Sequence, residues 1–353
     1  MSGWQALVYE TNRDPMNELM YPKAIVMMVL LLVVNAAITA ASDFDYYLTG
    51  NVADAQPTQT QGALMLAGGG GLVDDAFRWF IQRAGGGDMV VLKATDGTDA
   101  VADTFGSYLY DTMGGCDSVE VIVFNHRNAA SDPKVLQAIQ NADGIFLGGG
   151  KQFLYADYWK GTPVGEALDA HVRAGRPLGG SSAGLAVLGQ SCYTAHLTAR
   201  LTSDTAMQNP FDESLTLESD FLHFDLMRGV ITDSHFSPRG RLGRLITFVA
   251  RTSAENKIEH MLGIGVDEKT ALCVESSGMA RVFTNATEGR AWFVMPQQSA
   301  EVLTAGEPLT YRDVKVIGVG PAGEVDLLKR KIVKPAAESV VSVVAGKLLA
   351  APR

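Results

Sequence analysis

The sequence has little cysteine, and this shortage excludes two kinds of protein. Only three of the 353 residues are cysteines, and they stand far apart at Cys116, Cys192 and Cys273. An odd number of widely spaced cysteines builds no disulfide framework. No C-x-x-C pair or histidine-rich spacing indicates a metal site either. We therefore expect buried thiols.

A cluster of basic residues is also missing. The formal net charge is -10, so a nucleic-acid partner would need a local Lys/Arg run to overcome the overall repulsion, and the chain has none. Internal repeats are absent as well. Hydrophobic residues make up 47% of the chain, which is enough for one large domain with an appendage or for two modest domains.

The amino-terminal region predicts export. Residues 24–41 carry no charge, Lys23 precedes them, and the small residues Thr39-Ala40-Ala41 follow the apolar stretch, as in a signal peptide. Met20 is an alternative start, because signal peptides normally lack the polar stretch before it. An uncleaved membrane anchor is the alternative to a cleaved signal peptide, since 18 apolar residues are the lower limit for crossing a bilayer. We expect a secreted or periplasmic protein, or an anchored one that faces outside the cytoplasm, with residues 1–41 as the signal and 42–60 as a linker.

Beyond residue 61, short apolar runs alternate with helical patterns. Strands are predicted at residues 63–67, 89–93, 119–124 and 144–147, and helices at 74–84, 100–113, 133–141 and 164–174. Continuous apolar strands that alternate with helices are typical of a parallel sheet covered on both faces. With right-handed crossovers, this pattern predicts an α/β fold with a doubly wound, mainly parallel, flavodoxin-like sheet.

The pattern changes towards the carboxyl end. A fifth strand at residues 176–180 follows the last of these helices and runs into a serine motif. After about Met279, short strands at 280–284, 290–295 and 311–318 follow one another without helices. We therefore predict a catalytic α/β domain over residues 61–279 and a small antiparallel β extension over 280–353.

The serine motif is Gly180-Ser181-Ser182-Ala183-Gly184, which matches the G-x-S-x-G nucleophile elbow. A serine on a tight strand-to-helix turn needs small neighbours, and its hydroxyl lies at the positive end of the next helix. The predicted strand before Ser182 and the apolar helix after it supply that context. The backbone N–H of Ala183 would then receive the developing oxyanion.

A nucleophilic serine needs a base, and His235 is the best placed of the six histidines. It ends the apolar run Gly229–Phe236, so we expect it at a strand end, where open α/β sheets place their sites. Three arginines follow within two helical turns, at Arg239, Arg241 and Arg244. Such a cluster either binds carboxylates or forms a solvated helix face.

The acid that orients the histidine has three candidates. Asp267 and Glu268 follow the strand-like run Leu262–Val266. Asp233 alternates with His235 along one strand and would share its face, as an orienting group or as a substrate contact. The order serine, histidine, acid differs from the serine, acid, histidine order of α/β-hydrolases, which disfavours that family.

Two glycine clusters complete the motifs. Gly68–Gly71 follows the first predicted strand but lacks the spacing of a dinucleotide or Walker loop, so we interpret it as a loop whose backbone approaches another group closely. Gly148–Gln152 follows the fourth predicted strand. In that loop Gly150 could supply the second oxyanion donor, and Gln152 could reach the substrate.

Taken together, these motifs resemble the cyanophycinase and dipeptidase E family of serine peptidases. The shared features are the glycine turn, the Gly-Gly-x-Gln loop, the Gly-x-Ser-Ala-Gly elbow, Asp-x-His-Phe followed by three arginines, and Gly265-Val-Asp-Glu268. The resemblance spans residues 61 to 278, and the three arginines resemble the cyanophycinase branch more than the dipeptidase branch.

The resemblance implies an acyl-enzyme hydrolase without a metal or organic cofactor. Ser182 would attack, His235 would act as base and then acid, and Glu268 would orient His235. The reaction implied is hydrolysis of β-aspartyl-arginine bonds of cyanophycin or a related acidic peptide. Typical members of the branch cut cyanophycin to β-Asp-Arg dipeptides. The residues that would hold an aspartyl-arginine unit are Gln152, Asp233, Arg239, Arg241 and Arg244.

Two departures from the family pattern affect the substrate rather than the hydrolysis. Lys151 stands where the family commonly has Asp or Asn, and Ser234 stands where cyanophycinases often have Gln. An aspartyl dipeptidase or esterase of the same fold, and a non-catalytic binding protein, therefore remain alternatives. The expected partner is an aspartate- and arginine-rich peptide or polymer. A membrane is a partner only if residues 24–41 stay uncleaved, and a homodimer is the default assembly.

Overall fold

The computed structural model describes residues 42–56, 59–97, 102–196 and 201–350. The predicted signal or anchor at residues 1–41 lies outside the described residues. In the part of the chain that is described, no helix combines the length and the apolar character needed to cross a membrane.

Eighteen strands occur within the described residues. They are β1 (Phe44–Gly50), β2 (Ala63–Ala67), β3 (Asp88–Ala94), β4 (Ser118–Phe124), β5 (Gly144–Leu147), β6 (Leu178–Ser181), β7 (Ser191–Tyr193), β8 (Leu217–Ser219), β9 (Val230–Asp233), β10 (Leu262–Val266), β11 (Thr270–Glu275), β12 (Met279–Thr284), β13 (Ala291–Pro296), β14 (Tyr311–Val319), β15 (Glu324–Asp326), β16 (Lys331–Val333), β17 (Ala337–Val344) and β18 (Lys347–Ala350).

The helices lie between these strands and confirm the predicted alternation. They are α1 (Asp74–Arg83), α2 (Ala102–Ser107), α3 (Pro133–Asn141), α4 (Gln152–Trp159), α5 (Pro163–Arg173), α6 (Ala183–Ala186), α7 (Ser203–Gln208) and α8 (Leu242–Asn256). A π-helical segment, Tyr108–Met113, continues α2, and 3-10 turns cover Arg127–Ser131, Asp225–Met227 and Ser237–Arg239.

The first sheet has a parallel centre with antiparallel flanks. Its order is β1-β4-β3-β5-β6-β2-β11-β12-β15-β16. The five strands from β4 to β2 run parallel, whereas β1 and the strands from β11 onwards pair antiparallel to their neighbours. The α/β class and the parallel layer are therefore confirmed.

Period-two alternation explains why this centre is buried on both sides. Leu64 and Leu66 of β2 belong to one core cluster, which contains residues of α3, α4 and α5. Met65, between them, belongs to another cluster, which contains Phe77 and Phe80 of α1. Helices therefore cover both faces, as a doubly wound layer requires.

A second sheet carries half of the candidate site. Its order is β18-β17-β14-β13-β10-β9-β7-β8, and β9 runs parallel to β7 and β10. Ile264 of β10 faces the core cluster that includes Leu64, while Ile231 of β9 packs in a cluster with Phe248 of α8. The strand that precedes Ser182 and the strand that precedes His235 thus lie in different sheets, which the expectation of one sheet did not anticipate.

The linker predicted for residues 42–60 is wrong over Phe44–Gly50. This segment is β1, and all seven of its residues pair with β4. Its aromatic side chains explain the strand, because Phe44 and Tyr46 pack against one core cluster and Tyr47 against another. The Asp/Thr/Gln-rich composition further along concealed this short alternating pattern.

The carboxyl-terminal strands are antiparallel, and they extend both sheets. β12, β15 and β16 continue the first sheet, and β13, β14, β17 and β18 continue the second. The three cysteines are free thiols. Cys192 and Cys273 are buried and Cys116 is half-buried, so the expectation of buried thiols is confirmed for two of the three.

Candidate active site

Ser182 occupies a strained turn between β6 and α6. Its backbone has φ 55° and ψ -110°, a conformation that is costly for a residue with a side chain. The turn closes because its neighbours are glycines. A Cβ on Gly180 would lie 2.5 Å from the carbonyl of Gly184, and a Cβ on Gly184 would lie 2.1 Å from Leu147 O. The small residues of the motif are thus steric requirements of the turn.

His235 and Glu268 join Ser182 in one chain of hydrogen bonds. Ser182 Oγ lies 2.8 Å from His235 Nε2, and His235 Nδ1 lies 2.6 Å from Glu268 Oε1. An ionised carboxylate can only accept, so the imidazole carries its proton on Nδ1 and offers Nε2 as the acceptor for the serine hydroxyl. His235 also has a positive φ of 44°, which turns the chain sharply after β9.

The surroundings keep the imidazole neutral and the carboxylate charged. Burial lowers the pKa of His235 below its usual 6.5, and the nearby Arg239 and Arg241 lower it further, while the hydrogen bond that His235 donates to Glu268 acts in the opposite direction. The hydrogen bond to His235 lowers the pKa of Glu268, with help from the same arginines. At neutral pH the pair therefore presents an unprotonated Nε2 to Ser182.

Three consecutive carbonyls at the end of β2 hold the backbone of all three segments. Ser182 N donates to Ala67 O at 3.1 Å, His235 N donates to Gly68 O at 2.8 Å, and Lys269 N, next to Glu268, donates to Gly69 O at 2.7 Å. Residues far apart in sequence are thus held by one short stretch of main chain.

The same loop packs directly against the side chains of the site. A Cβ on Gly69 would lie 2.6 Å from His235 Cε1 and 2.7 Å from its Nε2, and a Cβ on Gly70 would lie 2.7 Å from Glu268 Cβ. Both glycines also have positive φ values. The sequence-based interpretation of Gly68–Gly71 as a loop in close backbone contact is confirmed, and the groups it contacts are His235 and Glu268.

Asp267 has a different position from its neighbour Glu268. Its buried carboxylate accepts hydrogen bonds from Ser237 N at 2.8 Å, from Arg290 N at 3.1 Å and from Trp292 Nε1 at 3.1 Å. The bond from Ser237 connects the turn that carries Glu268 to the segment that follows His235, and the other two connect this turn to the beginning of β13. The structure therefore separates the two candidate acids, and Glu268 alone contacts His235.

Asp233 and Arg244 form a buried ion pair away from the imidazole. Arg244 Nε lies 2.7 Å from Asp233 Oδ2 and its Nη2 lies 2.6 Å from Oδ1, while both side chains are at most 5% exposed. Arg241 adds a bond to Asp233 at 3.1 Å and one to Ser234 O at 2.7 Å. The prediction that Asp233 and Arg244 touch substrate directly does not fit this arrangement, because their polar groups are buried against each other.

The remaining predicted contacts lie nearer to solvent. Arg239 is 36% exposed, and its Nε lies 3.5 Å from Glu268 Oε1. Gln152, the first residue of α4, donates from Nε2 to Tyr193 O. Of the two residues that depart from the family pattern, Lys151 forms an exposed ion pair with Asp96 at 2.5 Å. The other, Ser234, is buried.

Two backbone segments beside Ser182 are the candidate oxyanion donors. Ala183 N begins α6 directly after the serine. In the glycine loop after β5, Gly149 is the residue against Ser182, since its Cβ would lie 3.6 Å from that of the serine, whereas a Cβ on Gly150 would face Ala94 O and Tyr155. The prediction named Gly150, and the geometry favours its neighbour.

No group of His, Cys, Asp and Glu residues within the described ranges is arranged to hold a metal ion.

A cavity of about 810 Å³ lies at the other end of β9, around Gly229 and Val230. The hydroxyl, imidazole and carboxylate side by side can transfer an acyl group through a serine ester.

Comparisons with known proteins identify a peptidase family. The model of peptidase family S51 matches residues 89–282, more than half of the chain, including Ser182, His235 and Glu268. A cyanophycinase from Trichormus variabilis is 29% identical over 274 residues, which cover 74% of this chain and 84% of that protein. A cyanophycinase from Synechococcus elongatus is 31% identical over 206 residues, 58% of each chain. The crystal structure of a peptidase from an acI-B1 Actinobacterium aligns with a TM-score of 0.46 at 17% identity, covering 70% of this chain and 98% of that one.

Proposed function

Because this chain belongs to peptidase family S51 and is a serine peptidase, we propose that it hydrolyses cyanophycin or a related acidic peptide through an acyl-enzyme on Ser182. The observation that carries the mechanism is the unbroken chain from Ser182 Oγ to His235 to Glu268, with contacts of 2.8 Å and 2.6 Å. The substrate is suggested by the names of the relatives, which are cyanophycinases.

The proposed reaction needs no group beyond this chain and water. His235 Nε2 takes the proton of Ser182 as Oγ attacks the carbonyl carbon. The protonated imidazole then gives that proton to the leaving amine, and the acyl-enzyme forms. Water attacks the ester in the same way and releases the acid. Glu268 keeps Nδ1 protonated and stabilises the imidazolium that forms at each step.

The proposed oxyanion hole combines Ala183 N–H with an N–H of the Gly149–Gly150 pair. Both segments lie beside Ser182, and α6 begins there. Removal of one preorganised donor from an oxyanion hole raises the reaction barrier by about 3–4 kcal/mol.

The exposed Arg239 and the half-buried Gln152 are the proposed substrate contacts. Arg239 offers a partly exposed guanidinium for a carboxylate, and the amide of Gln152 lies at the start of α4. Asp233, Arg241 and Arg244 fit a supporting role, since their mutual bonds fix the segment that carries His235. Lys151 and Ser234 are where this chain departs from the family pattern, so an aspartyl dipeptide substrate is the alternative to test.

The bond that is cut can be read from the products. Purified protein is offered insoluble cyanophycin and, separately, Asp-X dipeptides, and the soluble products are weighed by mass spectrometry. Intact β-Asp-Arg indicates cleavage of the polyaspartate backbone, whereas free arginine indicates cleavage of the β-aspartyl-arginine bond itself.

Ser182→Ala is the control for the nucleophile. We expect its rate to fall by about 10⁴-fold or more, with unchanged folding by circular dichroism. Turnover that survives in Ser182→Ala would refute the assignment. If the wild type cleaves only Asp-X dipeptides, the proposed substrate is wrong, while the proposed mechanism stands.

Export is a further part of the proposal, because residues 24–41 have the pattern of a signal peptide. Amino-terminal sequencing of the protein recovered from outside the cytoplasm should begin near Ser42. A protein recovered only in the membrane fraction, with its full amino terminus, would favour the anchor.

A further inference from the structure

A groove lies along α4, and no part of the proposed mechanism uses it. Its volume is about 400 Å³, within the range of about 300–1,000 Å³ that ligand pockets span. One wall is a stripe of α4 with helical spacing, and the other is formed by β8 and the residues that follow β7. Six of the side chains that define this α4 groove are Phe153, Asp157, Lys160, Thr194, His196 and Glu218.

One end of the α4 groove lies at Phe153, near the start of α4, and α4 follows the glycine loop that lies beside Ser182. Gly149 lies against Ser182, and Gln152 starts α4 three residues later. Gln152 Nε2 donates to Tyr193 O, so this bond joins the two walls at the end nearest the serine. A peptide that continues past the cleaved bond over Gln152 would enter the groove at Phe153.

Most charged groups of the groove are already paired. Lys160 Nζ contacts Glu218 and donates to Ser219 O at 2.9 Å. The guanidinium of Arg127 caps the end of α4 by donating to Asp157 O and, at 2.8 Å, to Lys160 O. Among the residues that the structure describes, the carboxylate of Asp157 has no ion-pair partner.

We propose that the α4 groove is a substrate subsite in which Asp157 binds the cationic side chain of a unit next to the cleaved one. Asp157 is exposed, so its charge is available to a ligand. The rings of Phe153 and His196, with centroids 5.6 Å apart at 87°, offer apolar surface for the stem of an arginine-like side chain. The inference rests on the proposed function, and it assigns this groove the recognition of a polymer rather than of a single unit.

Substrates of two lengths test the subsite. Soluble peptides of two and four aspartyl units, each unit bearing β-linked arginine, are compared in steady state with wild type and Asp157→Asn. The four-unit peptide reaches the groove, so wild type should show a KM about fivefold lower for it than for the two-unit peptide, the factor that a partly exposed ion pair supplies. In Asp157→Asn this advantage should disappear while kcat stays within about twofold.

Two controls separate the groove from general effects of charge. Asp225→Asn removes the same charge from a side chain that is 90% exposed, next to the cavity at the other end of β9, and should leave both KM values unchanged. A four-unit peptide with neutral citrulline in place of its outer arginines should lose the advantage with wild type and show no further loss with Asp157→Asn.

The outcomes also separate this inference from the proposed function. If the four-unit peptide gains nothing over the two-unit peptide, or if Asp157→Asn keeps the gain, the subsite is refuted while the hydrolysis stands. If neither peptide is cleaved, the proposed function fails. In that case, calorimetric titration of the same peptides into wild type and Asp157→Asn tests peptide binding to the groove without hydrolysis. Equal affinities of the two proteins for the four-unit peptide would refute the subsite.

Discussion

A single methyl group on Gly69 should disable the site. The Cβ of Gly69→Ala would lie 2.6 Å from His235 Cε1 and 2.7 Å from Nε2, where ordinary contacts begin near 3.4 Å. The imidazole or the loop must therefore move by about 0.8 Å. A displacement of about 1 Å in a reacting group costs about 10²-fold in rate. We expect kcat to fall by about 10²-fold, because Ser182 Oγ loses its 2.8 Å contact with Nε2.

Gly71→Ala is the matched control in the same loop. Gly69 and Gly71 both have positive φ, so each alanine destabilises the fold by about 1–3 kcal/mol. The Cβ at Gly71, however, would meet only the side chain of Lys269, at 3.4 Å. Urea unfolding reports the shared strain, and kcat on the peptide substrate reports the contact with His235. Equal kcat values in the two variants would refute the view that this loop positions the imidazole.

Two further predictions concern the arginines after His235. In the pH profile of kcat/KM, the acid limb should have an apparent pKa below 6.5, because burial lowers the pKa of His235 and activity requires its neutral form. Arg239→Gln removes a positive charge that lowers this pKa, so the acid limb should move to higher pH. Arg239→Lys keeps the charge and should leave the limb in place. An unmoved limb in Arg239→Gln would contradict this. Arg244→Ala removes the two shorter bonds to the buried carboxylate of Asp233, which then keeps only Arg241 at 3.1 Å, and should cost about 3 kcal/mol in urea unfolding. Arg228→Ala removes an exposed ion pair and should lower the free energy of unfolding by less than about 1 kcal/mol. Equal losses in the two variants would contradict a stabilising role of the buried pair.

The parts of the site that depend on local chain geometry were predictable from sequence. Ser182 follows a strand and precedes a helix, so its motif has the context that the elbow requires, and the structure gives it the strained φ of 55°. The strands and helices of the parallel layer follow from apolar periodicity, which packing then satisfies on both faces.

Side-chain partners near a strand end were not predictable in the same way. Alternation suggested that Asp233 and His235 share a face, but β9 ends at Asp233 and the positive φ of His235 turns the chain out of the strand. Asp233 therefore faces Arg244 and leaves the imidazole to Glu268. The same limit applies to Asp267 and Glu268, because which of two adjacent acids reaches a histidine depends on the turn that carries them.

The role of the glycine loop depends on packing between two sheets, which no local pattern encodes. Ser182 follows a strand of the first sheet, His235 follows one of the second, and Glu268 lies in the turn between β10 of the second and β11 of the first. The carbonyls of Ala67, Gly68 and Gly69 accept backbone hydrogen bonds from all three segments. A side chain here would separate the groups that must touch, since a Cβ on Gly68 would lie 2.0 Å from Asp267 O. The glycines of this loop are therefore required by the close approach of the two sheets.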